Sequence, residues 1–249
     1  MKLLRDQVSV VFLGSFAPAM IEPEWLIEHC VITPKEYAAG ERQSQEPKNQ
    51  DLIVLVTHQV SQLTLGGLQF LCDNSRLTIN ANSQDLHPRC QEISLAILAA
   101  LPSLPASAVG LNRNFLLEVP DSDYWHKIGH NLIQKTPFWS ALGGHPGTMN
   151  ATVRYRKCKV KDAELTVITA PDLSDESNNR IIVNTNYNFG APSPAPRAQK
   201  NVSRMDRATS VARVPITMKS LAFPFENTLW NSFYSNALEI ADAVHRLGV

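Results

Sequence analysis

Apolar residues in the first part of the chain fall into short runs separated by polar turns. Residues 8–13 form a β-branched run that ends at Gly14, and Pro23 then opens an apolar stretch that suits a short helix. Residues 52–60 are almost continuously Leu, Ile and Val, which is typical of a strand covered on both faces or at the centre of a sheet. The polar stretch 35–50 predicts a loop between them.

Two more strand signals follow at 63–71 and 77–81, so three consecutive antiparallel strands are the simplest prediction. Gly66 and Gly67 interrupt the alternation within the middle strand, which predicts a β-bulge there. Residues 88–101 then change to a helical period that is apolar almost all round, and this is typical of a central helix.

The second part of the chain repeats this succession of patterns. A strand at 109–119 precedes a helix that begins near 123, with Asp121 or Ser122 as its N-cap, and runs towards 142 with a break at Pro137. Three strand signals lie at 151–160, 164–170 and 180–189. The stretch from Leu229 to Leu247 is the clearest amphipathic helix.

Both parts therefore predict the order strand, helix, three strands, helix. The expected fold class is α+β, with two βαβββα-like halves, 1–105 and 106–249, that share a curved, mainly antiparallel sheet with helices packed on one face. The halves form two domains or a single one. This order resembles the half-repeats of saddle-shaped, TATA-binding-protein-like folds in topology, and the resemblance implies no shared function. The predicted internal duplication rests on the order of the elements alone, because the residues themselves show no convincing repeat.

Composition narrows the class of protein. The 249 residues hold 23 basic and 23 acidic side chains, which argues against a surface made wholly for nucleic acid. The four cysteines show no CxxC spacing and are expected to be reduced thiols. No apolar stretch approaches the ~20 residues of a membrane helix, and the first apolar run is too short for a signal peptide. A soluble cytoplasmic protein is therefore expected.

Two basic segments are candidate partner-binding surfaces, one on the strand at 151–160 and one in the Pro/Arg-rich loop 190–210. A solvated edge strand and a tolerated surface insertion explain the same charges. Asn184, Asn186 and Asn188 alternate along another strand, where they either line a polar groove or face solvent. The predicted partner-binding residues are Arg154, Arg156, Lys157, Lys159, Arg197, Lys200, Arg204 and Arg207.

His126 and His130 lie four residues apart on a predicted helix, a spacing at which two imidazoles can share a zinc or another divalent metal ion. Lys127 replaces the glutamate that follows the first histidine of a metallopeptidase helix, and His145 is a conceivable third ligand. Capping or hydrogen bonds beside Trp125 explain these histidines without a metal.

Four short segments resemble a sporadically distributed family of uncharacterised bacterial proteins of similar length. They are Phe-Leu-Gly-Ser-Phe-Ala-Pro at 12–18, Pro-Glu-Trp-Leu at 23–26, Val-Gly-Leu-Asn at 109–112 and Trp-His-Lys-Ile-Gly-His at 125–130. The resemblance carries over no activity, but sporadic distribution suggests phage defence or toxin neutralisation.

Nucleotide-binding and nucleophile-elbow motifs do not occur in the sequence. The sequence therefore favours a binding or assembly protein without a cofactor, which engages a protein partner, a further copy of itself or nucleic acid. The alternative is a metal-dependent hydrolase centred on His126 and His130.

Overall fold

The computed structural model describes residues 2–44, 52–133, 148–174, 179–190 and 217–249. The strands in these ranges form one nine-stranded sheet, ordered β2-β3-β4-β5-β1-β6-β9-β8-β7, in which every neighbouring pair is antiparallel. The strands are β1 (Lys2–Gly14), β2 (Leu52–Val56), β3 (Val60–Leu65), β4 (Leu68–Asp73), β5 (Arg76–Ala81), β6 (Ala106–Glu118), β7 (Ala151–Tyr155), β8 (Glu164–Pro171) and β9 (Arg180–Gly190).

Five α-helices of the described ranges accompany the sheet: α1 (Pro23–Glu28), α2 (Pro34–Ser44), α3 (His87–Ala100), α4 (Ser122–Leu132) and α5 (Asn227–Arg246). Helix α3 packs against β1 and β5, helix α5 against β6 and β9, and helix α2 against β2 and β3. Among the described residues, no helix combines the length and the apolar character needed to cross a bilayer.

Alternation along the strands divides the sheet into two different faces. The face towards the helices carries apolar side chains such as Val10 on β1, Leu111 on β6 and Phe189 on β9, all fully buried. These residues join helix residues such as Ile97 and Phe233 in one hydrophobic cluster that spans both halves of the chain. The period-2 pattern of each strand therefore creates a single core on one side of the sheet.

The two longest strands, β1 and β6, pair with each other at the centre of the sheet. Their register runs from Lys2 opposite Glu118 to Gly14 opposite Ala106. Every other described strand is added outward from this pair, β5 beside β1 and β9 beside β6. The halves of the chain are therefore joined by main-chain pairing as well as by side-chain packing.

The first half contains four sheet strands between α2 and α3, where the sequence predicts three. The run 52–60 ends as a strand at Val56, and β2 lies at the edge of the sheet, not at its centre. The sequence-based prediction of a strand covered on both faces is therefore wrong. Local apolar content indicates a preference for burial, whereas the position of a strand in the sheet is set by long-range pairing.

Gly66 and Gly67 form a hairpin turn between β3 and β4, not the predicted bulge. Both have positive φ, 52° and 86°, and Leu65 pairs directly with Leu68 across them. Two consecutive residues with positive φ are the requirement of the tight hairpin turn that matches strand twist. The glycine pair therefore ends one strand and begins the next.

Helix α2 occupies most of the stretch predicted as a loop. Its start is a reciprocal capping box, in which the Thr33 N–H donates to Glu36 Oε2 at 2.6 Å and the Glu36 N–H donates to Thr33 Oγ1 at 3.1 Å. Pro34 is the first residue of the helix. Thr-Pro-Lys-Glu was thus a readable helix start, and the prediction of a loop was wrong for 34–44.

Several predicted elements of the second half are confirmed, with changed ends. Helix α4 begins after Asp121, whose side chain accepts a hydrogen bond from the Tyr124 N–H at 2.7 Å, as a capping residue should. It ends at Leu132, and Pro137 lies outside the described residues. The strand predicted at 151–160 ends at Tyr155, so the basic residues after it are not on a strand.

Candidate functional site

The face of the sheet opposite the helices, here called the open face, carries polar side chains in place of the apolar core residues. One row crosses six neighbouring strands in register, with one residue from each strand. Neighbours in such a row are about 4.8 Å apart. The row consists of Asn80, Ser9, Asn112, Asn186, Thr166 and Arg154.

Asparagine is the dominant residue at the centre of the open face. Asn112 and Asn114 on β6 lie opposite Asn186 and Asn184 on β9, and Asn188 continues the series along β9. No hydrogen bond joins any of these five carboxamides to another group of the described chain. These five side chains are here called the asparagine array. A carboxamide both donates and accepts hydrogen bonds, so the array presents many donors and acceptors on one surface that are not paired within the described chain.

Four of the five residues of the asparagine array, all except Asn114, line a groove with a volume of about 530 Å³. Arg76 and Arg154 are its basic lining residues, and each is partly neutralised: Arg76 contacts Asp73 at 3.2 Å, and Arg154 is ion-paired with Glu164. The groove is therefore nearly neutral. Its lining residues are Val11, Leu13, Arg76, Gly110, Asn112, Arg154, Glu164, Thr166, Ile168, Asn184, Asn186 and Asn188, and they include no aromatic side chain.

Of the predicted partner-binding residues, Arg154 alone lies on the open face within the described ranges. Arg156 and Lys157 are exposed beyond the end of β7. Lys159 pairs with Glu239 on α5 at 2.6 Å, so an acid from another element balances its charge. Four predicted residues, Arg197, Lys200, Arg204 and Arg207, lie outside the described residues. Whether the two basic segments form one surface therefore stays a prediction.

The predicted metal ligands His126 and His130 are both exposed on α4, one helical turn apart. His126 stacks edge-on against Trp125, with ring centroids 4.8 Å apart. In the described part of the chain, no group of three or more His, Cys, Asp or Glu side chains is arranged to hold a metal ion. His145 lies outside the described residues, so the metal site stays a prediction.

The four cysteines are free thiols, and two of them belong to the core. Burial raises the pKa of Cys72 and of Cys90 to about 12, so both thiols stay protonated at neutral pH. Protonated, buried thiols are poor nucleophiles and poor metal ligands. Cys72 and Cys90 therefore stabilise the fold through packing in the hydrophobic core.

A buried charged cluster lies on the other side of the central strands. The Arg113 guanidinium donates to both Asp6 carboxylate oxygens, at 2.9 and 2.6 Å, and its third donor reaches the Tyr234 carbonyl oxygen at 2.7 Å. The His87 imidazole contacts the Tyr234 hydroxyl at 3.1 Å and the Asp6 carbonyl oxygen at 3.3 Å. The main donors and acceptors of the cluster are all paired with one another. The cluster therefore has a structural role, which is to connect β1, β6, α3 and α5.

Sequence reasoning identified the asparagines of β9 but missed Asn112 and Asn114. Their Asn-Arg-Asn alternation in the predicted strand 109–119 repeats the spacing seen on β9, and that was an available signal. The pairing of Asp6 with Arg113 had no local signal, since 107 positions separate them along the chain.

Comparison of the chain with protein-family models gives no match, and neither does comparison with curated proteins.

Proposed function

We propose that this protein is a binding or assembly protein, without catalytic activity of its own, that holds a protein partner on the open face. The observation that carries the proposal is the asparagine array, whose five carboxamides use none of their hydrogen-bonding capacity within the described chain. While the face is in contact with water, these carboxamides cost little free energy because water solvates them. A partner that covers the face would meet a dense set of hydrogen-bond donors and acceptors.

The spacing of the array favours an extended polypeptide as the partner. Alternate residues of a strand are about 6.8 Å apart, which is also the two-residue repeat of an extended chain. Asn184, Asn186 and Asn188 can therefore each meet an equivalent peptide group of a segment running along β9. Each carboxamide offers the same donor and acceptor as the peptide group it would meet.

Charge and composition make nucleic acid a poorer fit. Nucleic-acid binding depends on cations that neutralise phosphates, and single strands are held by stacking on aromatic side chains. Arg76 and Arg154 are already ion-paired, and the described residues that line the groove include no aromatic side chain. The four basic residues predicted in loop 190–210 remain proposed contributors to partner binding. Deletion of that loop followed by pull-down from the native host tests their role.

The experiment that tests the proposed function measures binding to immobilised unstructured peptides of mixed sequence. We expect Asn112→Ala combined with Asn186→Ala to weaken binding by about 5- to 150-fold, because two hydrogen bonds are worth about 1–3 kcal/mol together. Asn231→Ala on α5 is the matched control, since Asn231 is exposed and lies on a helix. Peptides N-methylated at alternate residues should bind weakly, because they lack main-chain donors.

Binding of duplex or single-stranded DNA with no binding of peptides would overturn the choice of partner. Peptide binding that is equally strong in the Asn112→Ala/Asn186→Ala variant would show that the open face is not the site. Circular dichroism spectra of all variants confirm that each one is folded.

We also propose a role in phage defence or toxin neutralisation, which rests on the sporadic distribution of the family that the sequence resembles. Neighbouring genes test it: toxin, nuclease or defence genes beside this one support the role, and a metabolic operon opposes it.

The metal-dependent hydrolase remains the second proposal. It is supported by the placement of His126 and His130 one turn apart on an exposed helix. Metal analysis of the purified protein is the test. Stoichiometric zinc that is lost in His126→Ala and His130→Ala would support it, and equal metal content in all three proteins would refute it.

The internal duplication is likewise a proposal. It is supported by the arrangement of the sheet, in which β5 and β4 extend outward from β1 as β9 and β8 extend from β6. A sequence profile of relatives of the first half should then align with the second half in that register. A profile that aligns in no consistent register would contradict it.

A further inference from the structure

The edge strand β2 exposes an uninterrupted apolar surface. Four consecutive side chains, Ile53, Val54, Leu55 and Val56, are 37, 44, 49 and 37% exposed. Among the residues that the structure describes, the strand pairs with β3 along one side only, and its other side forms an edge of the sheet. This apolar surface includes both faces of β2. Ile53 and Leu55 point to the open face, whereas Val54 points to the helix side, like its partner Leu63.

Such an edge is unusual for an isolated protein. Sheet edges normally carry charged residues, prolines or bulges that prevent pairing with other chains. The opposite edge, β7, follows this rule through Arg154 and the lysines that come after it. Strand β2 contains no charge, proline or glycine. Its Leu-Ile-Val-Leu-Val sequence is that of a strand covered on both faces, yet the fold leaves it at the edge.

We propose that β2 pairs with β2 of a second copy of this chain, in antiparallel orientation across a two-fold axis, so that the two sheets continue into one. Pairing centred on the middle of the strand places Val54 opposite Val54 of the other copy and Ile53 opposite Leu55. Leu52 then meets Val56. Every cross-strand pair is apolar, and no like charges oppose each other.

A second copy fits this edge better than the other surfaces of the same molecule do. Antiparallel pairing of identical strands is self-complementary and closes after two copies. Pairing of β2 with β7 would instead set an apolar strand against Arg154 and would leave free edges that continue the assembly into a filament. The apolar β2 edges therefore favour a closed dimer, which is independent of what the open face binds.

The experiment is sedimentation equilibrium of the full chain over a range of concentrations. We expect a dimer whose dissociation constant rises at least about tenfold in Val54→Lys and in Val54→Glu, since each change places like charges opposite each other. Val153→Lys is the matched control, because Val153 is similarly exposed, at 43%, on the other edge strand. Mixing the Lys and Glu variants should restore dimers, because Val54 faces its own copy.

Three results would overturn the proposal: wild-type protein that is monomeric at all concentrations, dimers that both charged variants retain, or mixed variants that stay monomeric. Amide hydrogen exchange in the wild type gives a second readout that needs no substitution. The main-chain amides of β2 should become more protected as concentration rises, and protection that is independent of concentration counts against the interface.

Discussion

At the scale of single residues, the most consequential group is the buried Arg113. Its side chain is 1% exposed, and the guanidinium also lies over the Tyr234 ring, 3.5 Å from the ring centroid. Burial of a charge is unfavourable unless ion pairing and hydrogen bonds replace water, and Asp6 with Tyr234 provides both. Removal of one partner therefore leaves an uncompensated charge at the centre of the fold.

We expect Asp6→Ala to lower the free energy of unfolding by about 3–5 kcal/mol, because it leaves the Arg113 charge buried without a carboxylate. The double variant Asp6→Leu/Arg113→Met should be destabilised by much less, since it removes both charges and keeps the volume. Urea unfolding at neutral pH measures both. A single variant within about 1 kcal/mol of wild type would contradict this account of the pair.

Protonation of His87 should make stability depend on pH. Burial, the largest influence, lowers the pKa of His87, and the Arg113 charge lowers it too, whereas the Asp6 and Asp85 carboxylates raise it. The folded protein thus holds this imidazole neutral at a pH where the unfolded chain is already protonated. Stability is fully present above the unfolded pKa of about 6.5 and is lost as pH falls from there through the lower folded pKa.

The measurement is urea unfolding between pH 8 and 5, where we expect the decline in stability to be shallower in His87→Gln. His245 contributes a decline in the same range, because burial also lowers its pKa. His245→Asn is therefore the companion variant. A decline that neither substitution reduces would show that other groups cause it.

At the scale of elements, turn chemistry sets the boundaries that apolar patterning leaves open. The β3–β4 hairpin exists because Gly66 and Gly67 adopt positive φ, and helix α2 begins where Thr33 and Glu36 cap each other. Both signals are local and were available in the sequence. For the hairpin, the apolar alternation on either side of the glycines favoured one continuous strand. For helix α2, the polar composition of the segment favoured a loop.

Gly67→Ala should destabilise the protein by about 1–2 kcal/mol, because an L-residue at φ 86° is strained. Its Cβ would also lie 2.9 Å from Leu86 Cδ1. Gly66→Asn is the matched control and should stay within about 0.5 kcal/mol of wild type, since asparagine tolerates a φ of 52°. Thermal unfolding compares the two. Equal effects at both positions would argue against the hairpin geometry.

At the scale of the whole molecule, the central β1–β6 pair makes the two halves of the chain interdependent. Residues from both halves belong to one hydrophobic cluster, and Phe12 of β1 contacts Phe225, just before α5, with ring centroids 5.8 Å apart. Separation of the halves would expose the core and leave the long strands β1 and β6 each unpaired along one side. The molecule should therefore behave as one cooperative unit.

We expect a single unfolding transition in urea, with the same midpoint by circular dichroism and by tryptophan fluorescence, because secondary structure and core packing are lost together. Fluorescence reports on Trp25 in the first half and on Trp125, Trp139 and Trp230 in the second. Two separate midpoints, or a plateau between them, would show that the halves unfold independently.

The sequence by itself determined the secondary-structure class and most elements. Periodicity located the helices around Ile93 and Phe233 and the strands around Leu111 and Val183, and the short connections between successive strands predicted antiparallel pairing. It also showed the alternating asparagines of β9. These features are local, because the spacing of apolar and polar side chains reports which faces of a helix or strand prefer burial.

Only the tertiary structure decided which strands lie side by side. It placed Asn112 beside Asn186, brought Asp6 to Arg113, and left the apolar β2 at an edge. Such pairings join residues far apart in sequence, and their energy comes from closing the whole sheet around β1 and β6. A local pattern therefore records that a strand such as β2 prefers burial, but not which surface covers it.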